Sequence, residues 1–204
     1  MSAIPVKLAV EDQLSEAILH AILDQLGGYA VGAVHSRGGY GYLKKSIQAW
    51  NRAAAHGPWI VLTDLDKAKC PSALIADWLG SPPHPNLLFR VAVREVESWV
   101  IADRPGFANF LKVSEKLLPE HPDETADPKA ALIEAARKSR SRDLRVRIVP
   151  KNGSTATIGP EYNACLCEFV GRHWRAGHAA KHSPSLRRAL DRLRAFTWPP
   201  RSHR

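Results

Sequence analysis

Two acidic pairs stand where short apolar runs end: Glu11 and Glu16 follow KLAV, and Asp64 and Asp66 follow PWIVLT. If those runs are strands of one parallel sheet, their ends project carboxylates over the same edge. Three or four acids at one mouth repel each other unless a cation lies between them, and a hard divalent ion with oxygen ligands, Mg²⁺ or Mn²⁺, offsets that repulsion. A centre of this kind acts on phosphates. Asp64 and Asp66, at i and i+2, share a side if the strand continues through both, although Asp-x-Asp also suits a solvated strand-end turn. Glu16 heads a helix, where it can instead interact with exposed amides, and Asp12 and Ser15 are both candidate caps. Taken together, these residues read as a metal-dependent enzyme acting on phosphates.

The elements that must position them alternate. An apolar strand over 4–10 is followed by a helix over 14–26, in which Leu14, Ile18, Ile22 and Leu26 recur at helical spacing. Gly27-Gly28 ends it, and 29–34 reads as a second strand. The glycine-rich SRGGYGYLKKS runs into a helix through about Ala55, and the third strand spans 58–63. Cys70-Pro71 opens a helix through Leu79, SPPHPN forces a turn, LLFRVAV at 87–93 is the fourth strand, and REVESWVIAD starts another helix. Alternation of this kind predicts an α/β fold, a Rossmann-like core with an open, mostly parallel sheet over about 4–104. If the helix begins at Arg94, Glu95 and Glu97 point about 200° apart and one of them faces the catalytic edge, with Trp99 packed inward.

Beyond Asp103 the pattern turns helical. Asp127-Pro128 and Ser183-Pro184 read as N-cap and first helical residue, a helix begins near Pro160, and LRVRIVP adds a strand at 144–149. The domain reading is a catalytic core over 1–104 and a mainly helical, basic extension over 105–204 packed on it.

A chain of 204 residues, 45% apolar, supports one sizeable core or a core with a helical appendage. MSAIPVKLAV lacks the apolar segment of a signal peptide and no run reaches the roughly 18 apolar residues of a membrane span, so a cytoplasmic protein with no membrane partner is expected. Cys70, Cys165 and Cys167 form neither an even disulfide framework nor a four-ligand zinc spacing. Residues 128–204 hold 17 Lys/Arg against 5 Asp/Glu, and residues 1–127 hold 12 against 15. An acidic catalytic part and a basic part for a polyanion follow, with DNA or RNA as the leading partner. Arg140, Arg142, Arg145 and Arg147 form one basic group and Arg187, Arg188, Arg192 and Arg194 another. Gly38-Gly39-Tyr40-Gly41 matches neither dinucleotide nor P-loop spacing, and is read as a tight loop or a backbone nest for a phosphate with Lys44 and Lys45 nearby. Trp174, Trp198 and His35 read as packing residues ahead of any contact with bases or protons.

VEDQLSE at 10–16, LTDLD at 62–66 and REVESW at 94–99 occur in the order found in TOPRIM-like domains, and the chain resembles in particular the small domains related to the OLD-family nucleases. The resemblance covers about 4–104. It implies a TOPRIM core in which Glu11, Asp64 and Asp66 surround one Mg²⁺ or Mn²⁺ and Glu16 and Glu97 contribute to a second. It also implies that Lys151 in VPKNG opposes charge on the phosphoryl group. The chain departs from the related pattern at Glu11-Asp12, where glycine usually follows the glutamate, and has one extra residue before Ser15-Glu16. The implied activity is metal-dependent phosphodiester hydrolysis of DNA or RNA, with an association with anti-phage defence. A topoisomerase needs a nucleophilic tyrosine on DNA-gating structure, and a primase needs more template-binding apparatus. The alternatives are a non-catalytic nucleic-acid or protein interaction module, and a small-molecule phosphohydrolase. A homodimer and an unidentified protein partner are both compatible with the sequence, although no heptad repeat compels either.

Overall fold

Four short apolar runs become four parallel strands. The computed structural model describes residues 3–36 and 38–198; Arg37 of the glycine-rich segment and residues 199–204 of the basic extension fall outside them. In chain order come β1 (Ile4–Val10), α1 (Gln13–Leu26), β2 (Tyr29–His35), α2 (Gly39–Ala53), β3 (Trp59–Asp64), α3 (Pro71–Leu79) and β4 (Leu87–Ala92). The strand order is β2-β1-β3-β4, with every neighbouring pair parallel. β3 is buried from Trp59 through Thr63, as expected of an inner strand covered on both faces. β2, at one edge, contains no fully buried residue. Trp50, Trp59 and His35 associate through their rings, so His35 is a packing residue of this unit.

The remaining helices are α4 (Val96–Ala102), α5 (Arg104–Leu111), α6 (Pro128–Arg137), α7 (Arg142–Ile148), α8 (Tyr162–Arg172), α9 (Ala176–Ala179) and α10 (Pro184–Arg194). The chain divides into two compact units, Met1–Ala92 with Arg188–Arg204, and Val93–Arg187. In the second unit α4 is apolar almost all round and every one of its residues is buried, which makes it the core of the helical assembly. Trp99 Nε1 donates to Ser185 Oγ at 2.7 Å, and Trp174 Nε1 donates to the Trp99 carbonyl at 3.0 Å. Trp174 is therefore a buried packing residue.

The strand expected at 144–149 is a helix. Ser141 caps α7 by accepting from Leu144 N at 3.4 Å, Leu144 and Ile148 are buried at i and i+4, and Val146 between them is 56% exposed. Asp143 and Arg147 pair at 3.3 Å across one turn. No helix among the described residues is long and apolar enough to cross a membrane.

Candidate active site at the carboxyl edge of the sheet

From β1 the chain moves outward to β2 and then returns past β1 to β3, so the order β2-β1-β3-β4 places the topological switch point between β1 and β3. In open parallel sheets, the crevice beyond the carboxyl ends of the two strands flanking this point is the usual ligand site. Glu11 directly follows β1, and Asp64 is the last residue of β3. Register sets Val10 opposite Leu62, which brings Glu11 beside Thr63 and Asp64. Glu11 Oε1 accepts a hydrogen bond from the Thr63 hydroxyl and a second, at 2.9 Å, from the Asp64 amide. Thr63, fully buried in an otherwise apolar run, is thus a positioning group for Glu11.

Burial raises the Glu11 carboxyl above the ordinary carboxylate range. The Thr63 and Asp64 hydrogen bonds pull it back, and the charges of Asp66 and Asp12 raise it again. Asp66 is exposed and sits in the left-handed region at φ 47°, in a turn closed by Ala68 N donating to the Leu65 carbonyl at 2.9 Å. The strand therefore stops at Asp64, and the alternation that would set Asp64 and Asp66 on one side does not reach Asp66. Asp tolerates this conformation better than most residues, at a cost that the turn must hold in place. Glu16 lies half-buried in the first turn of α1, and Asp12 is the cap, accepting from Ser15 N at 2.8 Å.

The donor set of Glu11, Asp64 and Asp66 is all carboxylate oxygen, the chemistry a hard divalent cation selects. Burial is the main cause of the elevation at Glu11, and the smaller part that comes from the charges of Asp66 and Asp12 is a repulsion such an ion would relieve. The side chains as they stand are not a closed coordination shell: among the described residues, no group of three or more His, Cys, Asp or Glu is gathered closely enough to hold a metal ion. A bound divalent ion there would supply Lewis-acid polarisation of a phosphoryl oxygen. Glu11, fixed by Thr63 and Asp64, supplies the oriented carboxylate.

Glu97 and Lys151 belong to the second unit. Glu97 is 4% exposed in the first turn of α4, where Tyr162 Oη donates to its Oε1 at 3.2 Å and Lys129 Nζ approaches the same oxygen at 3.5 Å. Lys129 also lies 3.9 Å from Glu95 Oε2. Glu95 is the extended N-cap of α4 at φ −141°, ψ 160°, outside the helix, so the 200° separation does not apply and both acids meet one lysine. Burial, then Glu97, pushes the Tyr162 phenol far above its usual value and keeps it a hydrogen-bond donor. Lys151 lies in an exposed turn within this unit and lines a concavity with Arg137 and Arg145; the lysine at Glu97 is Lys129.

No family model matches the chain, and no curated protein matches it. Among solved structures, the chain is similar to the C-terminal region of the Burkholderia pseudomallei OLD protein, with 15% identity over 95% of this chain and 98% of that one, and a TM-score of 0.45. Likeness at this level assigns neither a family nor an activity.

Proposed function

We propose that the chain is a divalent-metal-dependent phosphodiesterase acting on DNA or RNA, built on a TOPRIM-like core. In this reading Glu11, Asp64 and Asp66 hold Mg²⁺ or Mn²⁺, and Glu16 is a further acid beside them. The observation that carries it is the Glu11 carboxylate, hydrogen-bonded by Thr63 and the Asp64 amide at the switch point of the sheet. A half-buried acid oriented by two donors, with its charge disfavoured by burial and by neighbouring carboxylates, is costly unless a ligand uses it. Hydrolysis of a phosphodiester suits an oxygen-only donor set, because the reaction needs charge neutralised on non-bridging oxygens and no redox change.

The test compares the wild type with Asp64→Ala/Asp66→Ala on end-labelled single-stranded and duplex DNA and RNA, with Mg²⁺, with Mn²⁺ and with chelator. Metal-dependent cleavage that falls about a hundredfold or more in the variant is expected. A folded wild type that binds Mn²⁺ and cleaves none of these polymers sinks the reading.

A further inference from the structure

The second unit contains a concavity of about 400 Å³ with three cations, Arg137, Arg145 and Lys151, and an apolar wall of Val146, Val149 and Pro150. Its lining includes no acid. We propose that this concavity is a binding site for a nucleotide phosphate, with Lys151 and Arg145 on the anion and the valine-proline wall against the sugar and base. The inference goes beyond the hydrolytic reading and does not require the sheet-edge carboxylates to be catalytic.

Local structure supports the assignment. The turn from Lys151 to Ser154, closed by Ser154 N donating to the Lys151 carbonyl at 3.0 Å, carries Gly153 at φ 78°, a conformation in which glycine alone is unstrained. It holds Lys151 and Asn152 at the rim. Arg145 donates through Nη1 to the Ser139 carbonyl, which fixes the direction of its guanidinium, while Arg137 is tied through Nε to Glu134 at 2.9 Å and contributes field more than contact. Among the described residues, Val146 is one of the few large apolar side chains left exposed, at 56%, and it stands in this wall. Fixed cations beside a small apolar wall match a group that is anionic at one end and flat and weakly polar at the other. Inorganic phosphate satisfies only half of this complement.

Isothermal titration in chelator, with full-length protein, tests it using a nucleoside 5′-monophosphate, inorganic phosphate, and a short oligothymidylate with and without a 5′-phosphate. The wild type is expected to bind the monophosphate more tightly than inorganic phosphate. Lys151→Gln, in an exposed turn, and Val146→Asp are each expected to weaken the monophosphate roughly tenfold or more, while Lys181→Gln, an exposed lysine of the same unit outside this lining, leaves it unchanged. Stronger binding of the 5′-phosphorylated strand assigns the site to a strand end, and preference for the monophosphate assigns it to a free nucleotide. Equal weakening by Lys181→Gln, or binding no tighter than inorganic phosphate, overturns the proposal. Because the titration is run without metal, failure of the hydrolytic reading leaves its result unchanged.

Discussion

Glu11 concentrates the physical tension at the sheet edge, and its titration is measurable without any substrate. Burial raises its folded-state value above that of the unfolded chain, so the native protein holds the Glu11 proton more tightly than the unfolded one does. The associated stability is fully present below the ordinary carboxyl range and is lost as pH rises through the raised value. Glutamine at this position would keep an oxygen acceptor for Thr63 and Asp64 but cannot ionise, so Glu11→Gln removes this dependence. Melting curves in chelator across that window are expected to superimpose at the acid end and then diverge, with the wild type less stable. A separation independent of pH would remove the buried-carboxylate account. Glu11 and Asp64 are legible in the sequence because each terminates an apolar run, whereas the role of Thr63 emerges only from the fold. Its signal is nonetheless present: it is the one hydroxyl inside WIVLTD, and an isolated polar side chain in a fully buried strand must find a partner. Lys129, which meets Glu97 across more than thirty residues of sequence, leaves no local signal, since spacing cannot reveal a contact made by the packing of α4 and α6.

At the scale of elements, the alternating core is readable from periodicity, and the helix starts at Asp127-Pro128 and Pro184 follow from capping chemistry. α7 reads wrongly as a strand because Leu144, Val146 and Ile148 alternate with arginines in a period of two, while Ser141 and the Asp143–Arg147 pair carry the helical signal. The same misreading treats its arginines as equivalent. Arg147 is engaged by Asp143, Glu161 and Glu168, so within this group it is chiefly a structural cation. The end of α7 also depends on a close approach. Gly159 N donates to the Ile148 carbonyl at 2.9 Å, and a Cβ at Gly159 would lie 2.4 Å from the Arg147 carbonyl oxygen. Backbone cannot yield as a flexible side-chain end does, so Gly159→Ala is expected to destabilise the protein by about 1–3 kcal/mol. Denaturant unfolding provides the check; an unchanged midpoint would mean that the 149–161 loop repacks at no cost.

Charge is where the whole molecule differs most from a linear reading. The sequence separates 17 Lys/Arg against 5 Asp/Glu after residue 127 from 12 against 15 before it, but the last helix carries Arg188, Arg192 and Arg194 into the first unit. Counted by compact unit, Val93–Arg187 holds 16 Lys/Arg against 12 Asp/Glu and the remainder holds 13 against 8. Neither unit is the acidic one, and the unit bearing the sheet-edge carboxylates has its own cations. Arg188 and Arg192 lie one helical turn apart on α10, both exposed. Arg192 stands near Arg90 of β4, whose Nε is buried without a hydrogen-bond partner among the described residues and whose guanidinium is lowered to about 10, chiefly by burial and then by Arg192. Exposed cations one helical turn apart are well placed for phosphates, since releasing counterions from a polyanion adds affinity for each phosphate neutralised. If α10 contributes to nucleic-acid binding, Arg188→Gln/Arg192→Gln lowers affinity for every sequence alike and reduces the slope of log affinity against log salt by about one unit per lost contact. The measurement is polynucleotide binding over a salt series, for wild type and variant. Parallel lines would confine α10's arginines to solubility, and convergence at high salt would make them phosphate contacts of the unit that carries Glu11.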